Sequence, residues 1–269
     1  VLTDPQPAGR RPRQSQSLRQ EYEEFILQRI EEFKEQLSRA ELLAIADEAV
    51  RELEMGADDQ LVLTEVLILE HVDRLIMRRL RLPTYRRWRQ RHLRLRKAQR
   101  ELTYWGLEPG TPLEQLVSRL EEEDVTLVIG AALAPAAFYV AAHDLRVLLI
   151  DPSLPAVEAA EARATTEAIA SRFEALVVSF EHWFPEVTPS LVLLDPGLLG
   201  RLEANIRGSL LDTVRSRTAA GGAHLVWSSE AREGVTPLAP EALQAYYDGW
   251  SIERPRRMRK TRWFLAIKP

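Results

Sequence analysis

Asp151, Asp195 and Glu181 each stand just beyond a short apolar run, where a carboxylate could meet a ligand. Asp151 closes the run 147–150 and follows Gly130 by about twenty residues. Gly130 itself ends the run Val125–Ile129. Apolar run, glycine turn, small-residue segment, second run and terminal acid form the first half of a nucleotide-binding βαβ unit. In that unit the acid accepts hydrogen bonds from ribose hydroxyls and the glycine lets the backbone come close to the ligand. Asp151-Pro152-Ser153 has a second use, since Asp and Ser are good N-caps for a following helix, and both uses can hold at once. Asp195-Pro196-Gly197-Leu198 follows the run 190–194 and reads equally as an ordinary turn.

Other chemistry is sparse. The chain has no cysteine, which excludes disulfides, thiolate metal sites and cysteine nucleophiles. His143, His182 and His224 lack metal-ligand spacing and read as surface or strand-end residues, so no metal is expected. There is no P-loop, and the order of residues shows no Ser/His/Asp arrangement. Trp183 and Phe184 could line a ligand pocket or pack within their loop, and Tyr139 is read as core.

Charge is sharply uneven despite a formal net value of −4. Residues 74–100 hold eleven Arg and one Lys without an acid, whereas residues 1–73 hold 17 acidic and 8 basic groups. Arg86, Arg87 and Arg89 could follow the phosphates of a nucleic acid, RNA for example, while Tyr85 and Trp88 stack on bases. The alternatives are a protein partner, pairing with the acidic helices before it, or a cover over a domain junction.

The elements that must position these residues follow from periodicity. Residues 1–18, rich in Pro, Gln, Ser and Arg, are expected to be a flexible arm. Residues 19–106 read as an all-α domain. Its first stripe is Tyr22, Phe25, Ile26, Ile30, Phe33 and Leu37. A capping box at Ser38 and Glu41 opens a second helix that Gly56 can stop. Asp58 or Asp59 can cap a third, with Leu61, Val62, Val66, Leu67, Leu69, Val72 and Ile76 as its buried side. Tyr85, Trp88, His92, Leu95, Gln99 and Leu102 stripe a fourth, and Gly106 closes the domain. Thr111, Pro112 and Glu114 open a helix that leads into residues 107–269. There strands at 125–129, 146–150, 175–180, 190–195 and 223–227 alternate with helices at 135–143, 155–172 and 199–218. A short helix at 240–247 and a hairpin at 249–253 and 263–268 complete the chain. Alternation of this kind predicts an open, mostly parallel sheet covered on both faces.

With 269 residues, 45% of them hydrophobic, there is material for two domains. No apolar run reaches the roughly 18 residues of a membrane span, and no signal-peptide core is seen. A soluble cytoplasmic protein, off the membrane, is the expectation, with no oligomeric state implied.

The order of elements resembles the class I S-adenosylmethionine-dependent methyltransferase fold over residues 107–269. Five βα units are followed by an antiparallel hairpin, and AYYDGWSIERPRRMRKTRWFLAIKP is similar in pattern to the ending of many members. The resemblance implies an α/β, Rossmann-like seven-stranded methyltransferase sheet behind an N-terminal all-α domain. It implies S-adenosylmethionine as cofactor, held around Gly130, Ala132, Ala134, Asp151, Glu181 and Asp195, with Asp195 nearest the transferred methyl. The family's first motif, an acid and then GxGxG, corresponds here to Val128, Gly130, Ala132 and Ala134, so one glycine of the three remains and the acid is apolar. In the fourth motif Gly197 and Leu198 stand where amino-group methyltransferases commonly carry proline and an aromatic. Two functions follow: a methyltransferase of undefined substrate, or a methyltransferase-like binding or scaffold module without the chemistry.

Overall fold

The computed structural model describes residues 17–56, 65–228, 243–253 and 262–269. It divides into two compact units, 1–95 and 96–269.

The first unit is helical. α1 (Leu18–Glu35) begins at Ser17, whose side chain accepts from the Gln20 N–H while Gln20 returns a bond to the Ser17 N–H, a complete capping box. The expected arm thus falls outside the described residues except for its last two, which belong to this helix start. α2 (Arg39–Gly56) carries the predicted Ser38–Glu41 box, with Ser38 N–H donating to Glu41 Oε2 at 2.7 Å. α3 (Glu65–Arg79) differs from expectation on its buried face. Val72, Leu75 and Ile76 are buried, but Val66 and Leu69 are exposed. The expected set mixed two faces; the stripe actually used runs 68, 72, 75, 76 at spacings of four and three, and Ile68 packs against it. The proposed Asp58 or Asp59 cap lies outside the described residues. α4 (Tyr85–Gln99) buries Trp88, His92 and Gln99 as predicted. Trp88 closes a cluster with Tyr22, Ile26, Ile30, Ile45, Ala49, Val72, Leu75 and Ile76.

The second unit takes in the last turn of α4, from Arg96, and continues with a 3-10 turn, Leu102–Trp105, ended by Gly106 at φ 74°. The short helix α5 (Leu113–Val117) follows. Pro112, not Thr111, occupies its N-cap and no side chain caps it, because the Thr111 side chain is turned into the interior. The sheet comprises β1 (Val125–Ile129), β2 (Arg146–Asp151), β3 (Phe173–Val177), β4 (Leu191–Leu194), β5 (Ala223–Ser228), β6 (Ser251–Glu253) and β7 (Arg262–Ile267). Their order is β3-β2-β1-β4-β5-β7-β6. The first five are parallel, β7 is antiparallel to β5, and β6 pairs on its far side. This is the α/β, Rossmann-like seven-stranded sheet expected from the order of elements, with the last strand inserted beside the fifth.

Alternation along the strands sends side chains to two layers. Val128, Leu149, Leu193 and Leu225 face a cluster built with α6 (Ala134–Ala141) and α7 (Leu154–Thr166). Leu127, Ile129, Ile150, Leu194 and Val226 face another built with α8 (Pro196–Arg201) and α9 (Ala204–Arg217). The single helix expected at 199–218 is therefore two, broken where Leu202 turns extended at ψ 143°. β3 begins two residues earlier than expected, and α7 ends at Thr166, closed by Ala168 at φ 56°.

Candidate functional site

The sheet reverses direction of growth between β1 and β4: from β1 the order runs outward through β2 and β3, and from β4 outward through β5. Helices leave the carboxyl ends of these neighbours on opposite faces, which opens a crevice where ligands bind in open α/β sheets. Gly130, Asp151 and Asp195 are the residues that leave β1, β2 and β4 at that edge.

Main-chain bonds lock the three strand ends together. Gly130 N–H donates to Ile150 O at 2.9 Å and Asp195 N–H to Ile129 O at 3.0 Å. The Asp151 carboxylate, 7% exposed, then spans two turns: Oδ2 accepts from Ala131 N–H at 2.7 Å and Oδ1 from Ser153 N–H at 2.8 Å. Two accepted bonds leave acceptor capacity on an ionised carboxylate, which has about four lone-pair sites. Asp151 therefore ties the glycine turn to its own strand end and can still accept from a ligand hydroxyl. The Ala131 N–H as partner was not legible in sequence, because any residue but proline offers the same donor.

Asp195 is the N-cap of α8. Its Oδ1 accepts from Gly197 N–H at 2.8 Å and its Oδ2 from Leu198 N–H at 3.1 Å, with Pro196 in the first helical turn. The Asp-Pro-Gly-Leu sequence is thus a helix start. It also explains Gly130. That residue has φ 110°, and a Cβ built on it would lie 2.6 Å from Asp195 Cβ and 3.3 Å from Asp195 Oδ2. Glycine stands here because another part of the same chain fills the space beside it.

The remaining positions of the turn are less open. Val128 is wholly buried between Leu149 and Leu193, so this position lies inside the layer that packs α6. Ala132 and Ala134 are half-buried around a 3-10 turn, 131–133, that runs into α6. Glu181 is exposed in the turn after β3 and stands outside this bonded group. Gly130, Asp151 and Asp195 are brought together; Ala132 and Ala134 adjoin them along the chain.

One buried polar cluster was misread from sequence. His224 is fully buried in β5, not at the surface or at a strand end. Thr218 Oγ1 donates to Val214 O at 2.7 Å and therefore accepts from His224 Nε2–H at 2.7 Å. His224 Nδ1 is then the acceptor for the Tyr247 O–H at 2.9 Å. With both ring nitrogens satisfied, an imidazole can be buried without charge. Burial, and then the positive charges of Arg215 and Lys268, lower its pKa to about 3. Burial raises the Tyr247 phenol well above its ordinary value. Lys268 Nζ lies beside, donating to Arg215 O at 3.0 Å and Thr218 O at 2.6 Å at the carboxyl end of α9. The cluster is a fully bonded part of the core. His143 bonds Tyr139 O through Nδ1, and His182 lies near Ser179 Oγ. Among the described residues no group of three or more His, Asp or Glu could hold a metal ion, and no helix is long and apolar enough to cross a membrane.

The basic residues Arg86, Arg87 and Arg89 are exposed on α4. Their aromatic neighbours are not free to stack on bases. Trp88 is buried with its ring stacked 4.6 Å from His92, and Tyr85 meets Tyr22 edge-on at 5.4 Å.

No protein-family model and no curated protein matches the chain. Solved structures similar to part of it include a candidate O-methyltransferase of Nostoc punctiforme, 17% identical with a TM-score of 0.47 over 58% of this chain. That match spans 56% of the other protein's length. The glycopeptide N-methyltransferase MtfA, complexed with S-adenosyl-L-methionine, is 13% identical with a TM-score of 0.46, covering 58% of this chain and 86% of that one. The N-methyltransferase NodS of Bradyrhizobium japonicum is 17% identical with a TM-score of 0.45, covering 60% and 99%.

Proposed function

We propose that the carboxyl edge of β1, β2 and β4 binds S-adenosylmethionine and that the protein is a methyltransferase. The observation that carries this is Asp151: a carboxylate at the end of β2, beside the switch point, fixed by the Ala131 N–H of the glycine turn and retaining acceptor capacity. That is where a ribose diol can be received in a sheet of this order. The donor set fits at the ribose end. Bound there, the cofactor would supply an electrophilic methyl group. The chain's own share is positional. Asp151 would hold the ribose, and the turn from Gly130 to Ala134 would form the floor. Asp195, oriented by two backbone N–H groups, would present an acceptor toward an incoming substrate.

A second reading has its own observation. Asp151 and Asp195 both satisfy backbone donors of the fold, and Gly130 is packed by Asp195, so each can be accounted for without a ligand. Such a protein would be a methyltransferase-like binding or scaffold module.

Titration calorimetry with S-adenosylmethionine and S-adenosylhomocysteine separates the two. Binding that is lost in Asp151→Ala, with the variant's melting still cooperative, supports the methyltransferase. No heat of binding at ~1 mM cofactor, about 4 kcal/mol on the affinity scale, leaves the module.

A further inference from the structure

Arginines in the first unit fall into two groups. Those of α3 are matched: Arg74 pairs with Glu70, Arg78 with Glu52 and Arg79 with Glu48. On α4 Arg96 pairs with Asp144, but the five arginines before it are not matched. Arg86, Arg87, Arg89, Arg91 and Arg94 are all exposed, and none makes an ion pair among the described residues. At about 100° per residue they occupy the arc opposite Trp88 and His92, over an axial length of about 12 Å.

This arrangement works against the isolated helix. Arg86 and Arg89, Arg87 and Arg91, and Arg91 and Arg94 are like-charged neighbours at i,i+3 or i,i+4. The first turn of α4 carries no acid to offset them. A polyanion laid along the arc removes that repulsion.

We infer that the outer face of α4 binds the phosphate backbone of double-stranded nucleic acid without reading bases. The chemistry on the face selects among polyanions. All five cations are Arg, whose planar fork matches phosphate oxygens in pairs. The aromatic residues are turned inward, which removes the stacking platform a single strand needs. Leu93, 45% exposed, is the one large apolar side chain on the arc. A protein interface would want an apolar centre and a membrane surface an apolar face to insert, and neither is present here. This inference is independent of the cofactor reading.

The test is fluorescence anisotropy of a labelled 20-base-pair duplex, one arm RNA and one DNA, titrated with the full chain from ~50 to ~300 mM salt. Each neutralised phosphate contributes about −0.9 to the slope of log affinity against log salt, so five contacts predict a slope of about −4.5. The triple variant Arg86→Gln, Arg87→Gln, Arg89→Gln should reduce its magnitude by about 2 to 3 while far-UV circular dichroism and melting temperature stay unchanged. Affinity shared by both duplexes marks backbone recognition, and affinity for one duplex marks its helical form; either supports the inference. Undetectable binding at ~50 mM salt, or an unchanged slope in the triple variant, overturns it. So does equal competition by polyglutamate, or equal binding to vesicles containing phosphatidylserine.

Discussion

Gly130→Ala separates two reasons for a glycine after β1. The residue has φ 110° and ψ 119°, a conformation nearly reserved for glycine, so any Cβ brings strain of about 1–3 kcal/mol. The new Cβ would also sit 2.6 Å from Asp195 Cβ, where carbon atoms settle at about 3.5–4.0 Å. Asp195 must move by about 1 Å. It is the N-cap of α8, so moving it loosens the bonds to Gly197 and Leu198. Overpacking of this kind costs about 1–3 kcal/mol. Together the substitution should destabilise the unliganded protein by about 2–6 kcal/mol, a large part of an ordinary domain's stability. Urea unfolding followed by circular dichroism measures it. Asp195→Gly removes the colliding atom, so Gly130→Ala in that background should cost only the strain, leaving a coupling of about 1–3 kcal/mol. A loss within about 0.5 kcal/mol, or no coupling, refutes the packing explanation. The glycine would then serve ligand approach alone.

Two further outcomes follow from the same bonding. His224 is held neutral in the fold, with its pKa lowered to about 3 from 6.5. Above pH 6.5 both folded and unfolded chains are neutral at this residue. Below it the unfolded chain takes up a proton that the fold refuses, so stability is lost between pH 6.5 and about 3, at about tenfold in the folding constant per unit. Ring carbon and nitrogen shifts in NMR should keep His224 in the neutral Nε2–H form from pH 7 to 4; protonation near pH 6 would contradict this. Ser38→Ala removes one half of the capping box that opens α2, and should cost about 1 kcal/mol in thermal or urea unfolding. An unchanged midpoint would show the box adds nothing.

Much of the sheet could be read from residue order alone. Val125–Ile129, interrupted only by Thr126, and the run ending at Asp151 are near-continuous apolar stretches bounded by turn residues, as strands buried on both faces are. The acid at the end of β2 was legible for the same reason, since its position follows from the strand. What residue types hide is tertiary. Glycine after β1 looked like a ligand's requirement, whereas Asp195, sixty-odd residues on, occupies the space. His224 looked like a strand-end residue because nothing nearby announces that Tyr247 and Thr218 will satisfy its ring. Trp88 and Tyr85, interleaved with arginines, could be read as a stacking platform for bases or as part of the helix's apolar stripe; a period of 3.6 sends Trp88 inward and leaves the arginines out.

Hydrogen–deuterium exchange with and without saturating S-adenosylhomocysteine tests the central claim most directly, because it reports where as well as whether. The cofactor reading predicts slower exchange in the segments 129–135 and 150–154, which join the glycine turn to Asp151, and no change along 85–94. Unchanged exchange in both segments at ~1 mM ligand, where a millimolar binder is half bound, would contradict it.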